Sequence, residues 1–553
     1  MCEFVPMYKL WCLCCVILLN DVTYGFIFGD QHSASGPRDA LAQTSCGPVR
    51  GKFDGNAYAY RGIPYAVPPV RTKRWQPPEP LSHEDGTCWP GTFDASVLKS
   101  QCVQRQEDDL TQVVGTEDCL HLNVWTPTNM MSANLSVMVF IHGGSLQIGN
   151  GDMPGYAPTE QLARDTNTVY VSMNYRLQAF GFMSLDILSR NSKTNTSGNY
   201  GHMDQILALK WVQENIRNFG GDPNKVTLFG QSSGATSVMV LLTSPLAQGL
   251  FHRAWLLSAS PLLTKTKVGA AIDNMVFLKK TNCDNITCLL QMSANDVTQA
   301  VPWNEYPFWA MMDQIDLPVR GQLDGGLSII DGYVLKEAPF DAWVKGHGND
   351  VPVIVGTTAQ ENDFEGIPDE IVNKSTYETY VMRKIGSFGS DIAKMALRLY
   401  PVGKETVRHQ FTSMVSDVRV GCGNDLLALY AAVNTNSPVY RYVVTSVPSA
   451  PVSPFGIALD TLLSFHGWDG YAFFGTMQEI MSHPSGNDIM FEANLRREIM
   501  SFVESGSPYS KDWHPFPESV VLLSDDTKVT SGYHTYHCNF WMENGFFDYS
   551  WVN

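Results

Sequence analysis

Positive charge is scarce in this chain of 553 residues: 38 lysines and arginines face 55 aspartates and glutamates, for a formal net charge of −17. Such a surface repels nucleic acid and anionic lipid alike, so neither is expected as a main partner. Past the amino-terminal segment there is no apolar run long enough to cross a bilayer. The carboxyl end, Phe547-Asp548-Tyr549-Ser550-Trp551-Val552-Asn553, carries neither an ER-retention tetrapeptide nor a hydrophobic tail for a lipid anchor. Internal repeats, low-complexity tracts and linkers rich in Pro, Gly or Ser are also missing. That disfavours arrays and separable modules, and one large domain over residues 26–553 is the expectation.

The first residues differ from the rest. Lys9 precedes the apolar stretch Leu10 to Leu19, and Thr23-Tyr24-Gly25 offers small residues for cleavage, the outline of a secretory signal peptide over residues 1–25. Glu3 and an imperfect cleavage site fit that outline less well. A short anchor is the alternative, although about ten apolar residues are too few to span a bilayer. A secreted protein with no stable membrane anchor is expected. Outside this segment lie eight cysteines: Cys46, Cys88, Cys102, Cys119, Cys283, Cys288, Cys422 and Cys538. An even number in a secreted chain implies disulfides, but spacing alone cannot choose the pairs. Asn134, Asn195, Asn285 and Asn373 each open an Asn-x-Ser/Thr acceptor for glycosylation, which places them on surface loops.

Short apolar runs alternate with helical patterns through the middle of the chain: Val137 to Ile141, Val169 to Met173, Val226 to Phe229 and Val351 to Val355. Alternation of this kind predicts an α/β protein with a large, mostly parallel central sheet flanked by helices. Ile206, Leu209, Val212, Ile216 and Phe219 recur at three- and four-residue intervals and stop at Gly220-Gly221-Asp222-Pro223, which predicts an amphipathic helix.

Between the third run and the helix-forming stretch Ala235 to Met239 sits Gly230-Gln231-Ser232-Ser233-Gly234. A serine on a sharp strand-to-helix turn needs small residues two positions to either side, and its hydroxyl is left exposed. A hydroxyl is a poor nucleophile at neutral pH, so Ser232 requires a histidine to take its proton and a carboxylate to orient that histidine. Glu361 follows the run Val351 to Val355, and His466 lies in the loop after Val439 to Val444. They are the candidate acid and base. His142-Gly143-Gly144-Ser145, directly after Val137 to Ile141, is a glycine-rich loop suited to stabilising an oxyanion through the N–H groups of Gly144 and Ser145, with Ser233 supplying a third.

Further stretches carry a resemblance. Arg61-Gly62-Ile63-Pro64-Tyr65-Ala66, Glu117-Asp118-Cys119-Leu120-His121-Leu122-Asn123-Val124-Trp125, Asn174-Tyr175-Arg176, Gly198 to Gln205, Asn215 to Pro223, the serine turn, Asp331-Gly332 and Cys538-Asn539-Phe540-Trp541 occur in order along the chain. Together they resemble the type B carboxylesterases of the cholinesterase-like α/β-hydrolase family over essentially everything after the amino-terminal segment. The resemblance implies an α/β-hydrolase fold and a serine hydrolase of carboxylic esters that works without a cofactor. It places Ser232, Glu361 and His466 at the catalytic positions and Gly144, Ser145 and Ser233 at the oxyanion hole. It pairs Cys102 with Cys119, Cys283 with Cys288 and Cys422 with Cys538, leaving Cys46 and Cys88 for an additional bridge. His534, His537 and Cys538 are close enough in sequence to suggest a metal site, but a disulfide is the better use of Cys538, and no metal is expected.

Departures from the family pattern are Gln231 for a glutamate, Ser233 for an alanine, Ser145 for a glycine and Asn362 for a glycine. Ser145 is expected to affect rate by narrowing the site or tilting a donor. Where cholinesterases carry a tryptophan that holds quaternary ammonium, the loop Val103 to Asp118 has no aromatic residue, so choline esters are not the expected substrates. In the family's lipases this loop is a lid; here Leu110, Val113 and Val114 provide modest apolar surface for one. Trp303, Tyr306, Phe308 and Trp309 are candidates for an acyl pocket or for core. The expected substrate is a small-molecule or lipid ester. The alternatives are a lipase of the same family and a non-catalytic, neuroligin-like binding protein.

Overall fold

The structure is a computed structural model that describes residues 40–81, 88–106, 111–302, 316–322, 325–363, 366–453, 461 and 463–552. The segment 1–25, residues Glu107 to Leu110 and the aromatic candidates Trp303, Tyr306, Phe308 and Trp309 lie outside the described residues.

Eleven strands make the main sheet: β1 (Lys52–Phe53), β2 (Tyr58–Pro64), β3 (His121–Thr126), β4 (Leu135–Ile141), β5 (Val169–Met173), β6 (Gly221–Gln231), β7 (Arg253–Leu257), β8 (Val353–Thr358), β9 (Val439–Val444), β10 (Val520–Leu523) and β11 (Lys528–Thr530). Their order across the sheet is β11-β10-β9-β8-β7-β6-β4-β5-β3-β2-β1. The six pairings from β5 through β4 and β6 to β10 are parallel, and both margins are antiparallel. This is the expected architecture, a mostly parallel sheet flanked by helices.

Strands β4 and β5 are apolar along most of their length because both faces of the sheet are covered. Successive side chains point to opposite sides, so Val137, Val139 and Ile141 of β4 enter one core while Met138 and Phe140 enter the other. The first core is closed by helices α1 (Tyr200–Asn215) and α2 (Ser233–Thr243), and the second by α3 (Trp468–Phe474) and α4 (Gly486–Ser505).

Two local expectations are modified. The first turns of helix α1 are buried on every side because their polar residues are internally paired, while its second half is amphipathic, with Lys210 and Glu214 exposed and Leu209 and Val212 buried. His202 joins Gln205 (3.0 Å) and Ser328 (2.8 Å), and Asp204 receives a two-pronged contact from Arg176, Nε to Oδ2 at 2.8 Å and Nη2 to Oδ1 at 2.7 Å. Strand β6 begins five residues before Val226: Gly221 already pairs with Leu135, and the irregularity between Gly221 and Val226 accommodates Pro223, which has no N–H for the ladder.

Four disulfides are formed, Cys46–Cys88, Cys102–Cys119, Cys283–Cys288 and Cys422–Cys538. With Cys538 so engaged, His534 bonds Asp417 (2.7 Å) and His537 bonds the Leu399 carbonyl (3.1 Å). Among the described residues no group of three His, Cys, Asp or Glu is placed to hold a metal ion.

The Arg176–Asp204 pair generates the first prediction. Both side chains are buried, and Asp204 also accepts the Arg176 backbone N–H at 3.0 Å. Asp204→Ala strands a guanidinium in the core and is expected to cost about 3–5 kcal/mol in denaturant unfolding; a loss below about 1 kcal/mol would mean that water reaches the arginine.

Candidate active site

Ser232 sits between the end of β6 and the start of α2 with φ +59° and ψ −127°. That combination is sparsely populated for a residue with a Cβ, and the surroundings impose it. The Ser232 N–H donates to the Leu257 carbonyl at the end of β7 (2.8 Å), while the Ser232 carbonyl accepts from Thr236 N–H in the first turn of α2 (3.0 Å). Gly230 and Gly234 are required by contact: a Cβ on Gly230 would overlap the Gly234 carbonyl, and one on Gly234 would overlap the Ile141 carbonyl of β4.

Glu361 emerges just beyond β8 and is completely buried. Its Oε2 lies 2.5 Å from His466 Nδ1, and its Oε1 accepts from the Ser258 hydroxyl (2.6 Å) and the Thr358 N–H (2.7 Å). Three contacts thus fix the carboxylate, and the carboxylate fixes the imidazole. With the Nδ1 proton directed at Glu361, Nε2 presents its lone pair as an acceptor. That Nε2 stands 2.8 Å from the side-chain nitrogen of Gln231, the residue immediately before Ser232. Glu361 and His466 are therefore brought together, and His466 is brought against the serine turn, its Nε2 engaged by Gln231.

A second buried carboxylate, not singled out from the sequence, lies three residues beyond the histidine. Asp469 accepts from the Tyr442 hydroxyl (2.6 Å), which in turn accepts from the Trp255 indole N–H (3.2 Å). Burial, reinforced by the nearby Glu361 charge, pushes the Asp469 carboxyl up to about 6 against the lowering effect of the Tyr442 bond. The available signal was its position in Ser464-Phe465-His466-Gly467-Trp468-Asp469, an acid among aromatics.

The loop after β4 carries three consecutive residues with positive φ, Gly144 (+100°), Ser145 (+53°) and Leu146 (+60°). The Gly144 carbonyl accepts from the N–H groups of Gln147 (2.9 Å) and Ile148 (3.0 Å), closing the turn. Ser145 holds a left-handed conformation that glycine adopts without penalty, which is a physical reason for glycine to be common there. The fully buried Ser233 hydroxyl accepts the Leu146 N–H at 3.1 Å, so this departure from alanine ties the loop to α2. Asn362 has no positive φ; it is buried against Ser416, whose hydroxyl accepts its N–H (3.3 Å), and a side chain is accommodated there without strain.

The loop between Cys102 and Cys119 contains a short hairpin in which Gln104-Arg105 pairs with Val113-Val114, both valines half-buried. Asn134, Asn195, Asn285 and Asn373 are all exposed. Asn285 and Asn373 also cap helices through side-chain acceptors.

The pattern of the carboxylesterase family matches residues 38–541. The chain is 31% identical to the fumonisin B1 esterase of Sphingopyxis macrogoltabida over 508 residues, covering 89% of this chain and 87% of that protein. It is 30% identical to the para-nitrobenzyl esterase of Bacillus subtilis, covering 89% and 95%. Neurotactin of Drosophila melanogaster is 34% identical over 74% of this chain, a stretch that spans 48% of Neurotactin. A solved PNB esterase superposes with a TM-score of 0.72 at 27% identity, over 91% of this chain and all of the other.

Two predictions come from the site. Asp469 titrates above its ordinary value in the folded state, so the folded form binds the extra proton between about pH 4 and 6 and stability from this group falls as pH rises through that window. Asp469→Asn should therefore raise unfolding stability at pH 7 by up to about 3 kcal/mol, a gain that vanishes below about pH 4; an equal gain at all pH values would contradict this. Ser233→Ala leaves the buried Leu146 N–H without its acceptor and should cost about 1–3 kcal/mol, read from denaturant midpoints.

Proposed function

The chain belongs to the carboxylesterase family, and on that premise we propose that it is a secreted serine esterase that hydrolyses carboxylic esters through an acyl-enzyme. The observation that carries this reading is the buried Glu361–His466 pair set against a serine held in a strained strand-to-helix turn.

Ser232 Oγ attacks the ester carbonyl as His466 Nε2 accepts its proton, and Glu361 stabilises the resulting imidazolium through Nδ1. The carbonyl oxygen becomes an oxyanion held by the N–H groups of Gly144, Ser145 and Ser233. Collapse expels the alcohol, protonated from Nε2, and leaves Ser232 acylated. Water, deprotonated by the same nitrogen, then attacks the acyl carbon and releases the acid. The serine proton leaves with the alcohol, the proton taken from water passes from Nε2 to Ser232 Oγ as the acid departs, and the cycle needs no metal or cofactor.

A small-molecule ester is the substrate class. Relatives named for fumonisin B1 and para-nitrobenzyl esters support it, and the aromatic-free loop Val103 to Asp118 speaks against choline esters. Secretion is supported by the amino-terminal sequence, by four disulfides of a kind that persist in oxidising compartments, and by exposed acceptor sites at Asn134, Asn195, Asn285 and Asn373.

The test is hydrolysis of p-nitrophenyl acetate, butyrate and palmitate by the wild type and Ser232→Ala, with fluorophosphonate labelling of both. Wild-type labelling and turnover are expected, with kcat/KM falling by roughly 10⁴-fold or more in the variant. Preference for palmitate, with a jump in rate at an interface, would select a lipase. A folded wild type that neither turns over nor labels would overturn the reading in favour of a binding protein.

A further inference from the structure

Resting on the esterase reading above, we propose that Gln231 is a positioning residue that occupies the proton-accepting nitrogen of His466 in the resting protein, so that release of this contact is a step in acylation. An imidazole nitrogen has a single in-plane lone pair. With Nδ1 directed at Glu361 (2.5 Å), the lone pair on Nε2 accepts from the Gln231 amide N–H at 2.8 Å, a full hydrogen bond by distance. Gln231 is 6% exposed, so water does not readily replace its amide. Ser232 must deliver its proton to this same lone pair, and the Gln231 and Ser232 donors compete for it.

The turn that exposes Ser232 also enforces the competition. Residues 231 and 232 are adjacent, and Gly143 on the facing loop packs so closely that a Cβ there would stand 3.0 Å from Gln231 Oε1 and 3.1 Å from Ser232 Cβ. The side chain is thereby confined beside the imidazole. A donor on an imidazole nitrogen favours the neutral ring over the protonated one, and it must leave before Ser232 can use the same lone pair. Among the described residues, the titratable groups near the ring include Glu361 from the end of β8, Asp469 from α3 with its Tyr442 partner on β9, and Tyr156, whose hydroxyl donates to the Gly467 carbonyl (3.2 Å). The Trp551 ring meets the imidazole edge-on at 5.1 Å.

The experiment uses the intact protein with Gln231→Leu, which removes the donor, and Gln231→Glu, which replaces it with a carboxylate. Read-outs are fluorophosphonate labelling rates and the pH dependence of kcat/KM for p-nitrophenyl butyrate. In Gln231→Leu the acid limb should move up by about half to one pH unit and labelling at pH 8 should accelerate several-fold. In Gln231→Glu the new carboxylate accepts from the protonated ring, so the acid limb should move up by about one pH unit or more and labelling at pH 7 should slow about tenfold. An acid limb unchanged in Gln231→Leu overturns the proposal, whatever happens to the rate, because a packing role would not move it. If Gln231→Leu does not fold, Gln231→Met, which also removes the donor without adding charge, decides by the same read-out. Absence of labelling in the wild type would instead remove the esterase reading itself.

Discussion

The backbone of α2 presses directly against the end of β4, and the site depends on that contact. The approach of Gly234 to the Ile141 carbonyl leaves no room for a Cβ, and Gly230 is equally tight against Gly234. Because the helix begins so close to the sheet, Ser232 has to adopt its unusual backbone angles. Its N–H is taken up by the neighbouring strand β7 and its carbonyl by the helix, so the strain is distributed into two packed elements rather than relieved.

Around this turn the buried carboxylates are each held by several donors. Glu361 is held by Ser258, Thr358 and His466, and Asp469 by Tyr442 and the Gly470 N–H. Neighbouring residues follow the same logic: the buried His142 is driven down to about 4 by burial, so its ring stays neutral while it stacks on Tyr175. Buried donors and acceptors that are fully paired specify one arrangement far more sharply than apolar packing does. The loop after β4 is fixed in the same way, by Ser233 from α2 and by Gln104, whose side chain both donates to and accepts from the Gly149 backbone (2.9 and 2.8 Å).

The four departures from the family pattern differ in kind once their environments are compared. Asn362 is neutral because its backbone never required glycine. Ser233 adds a clamp on the loop after β4. Ser145 keeps a conformation that glycine would adopt at lower cost, and Gln231 changes the hydrogen-bonding character of the residue facing His466.

Much was determined by the sequence alone. Short apolar runs placed β4, β5, β8 and β9 because burial on both faces leaves a continuous hydrophobic signal, and the spacing of Gly230, Ser232 and Gly234 marked the turn because its sterics are local. The order of Ser232, Glu361 and His466 relative to those strands named the candidate triad. What only the tertiary structure decided involves partners far apart in the chain. It paired Cys46 with Cys88, set Asp204 against Arg176 and so made the first turns of α1 polar yet buried, and brought Asp469 under Tyr442. It also put the Gln231 amide, rather than an open approach, at His466 Nε2. Local sequence encodes periodicity and steric need; which buried polar atom meets which depends on distances that exist only after the sheet has formed.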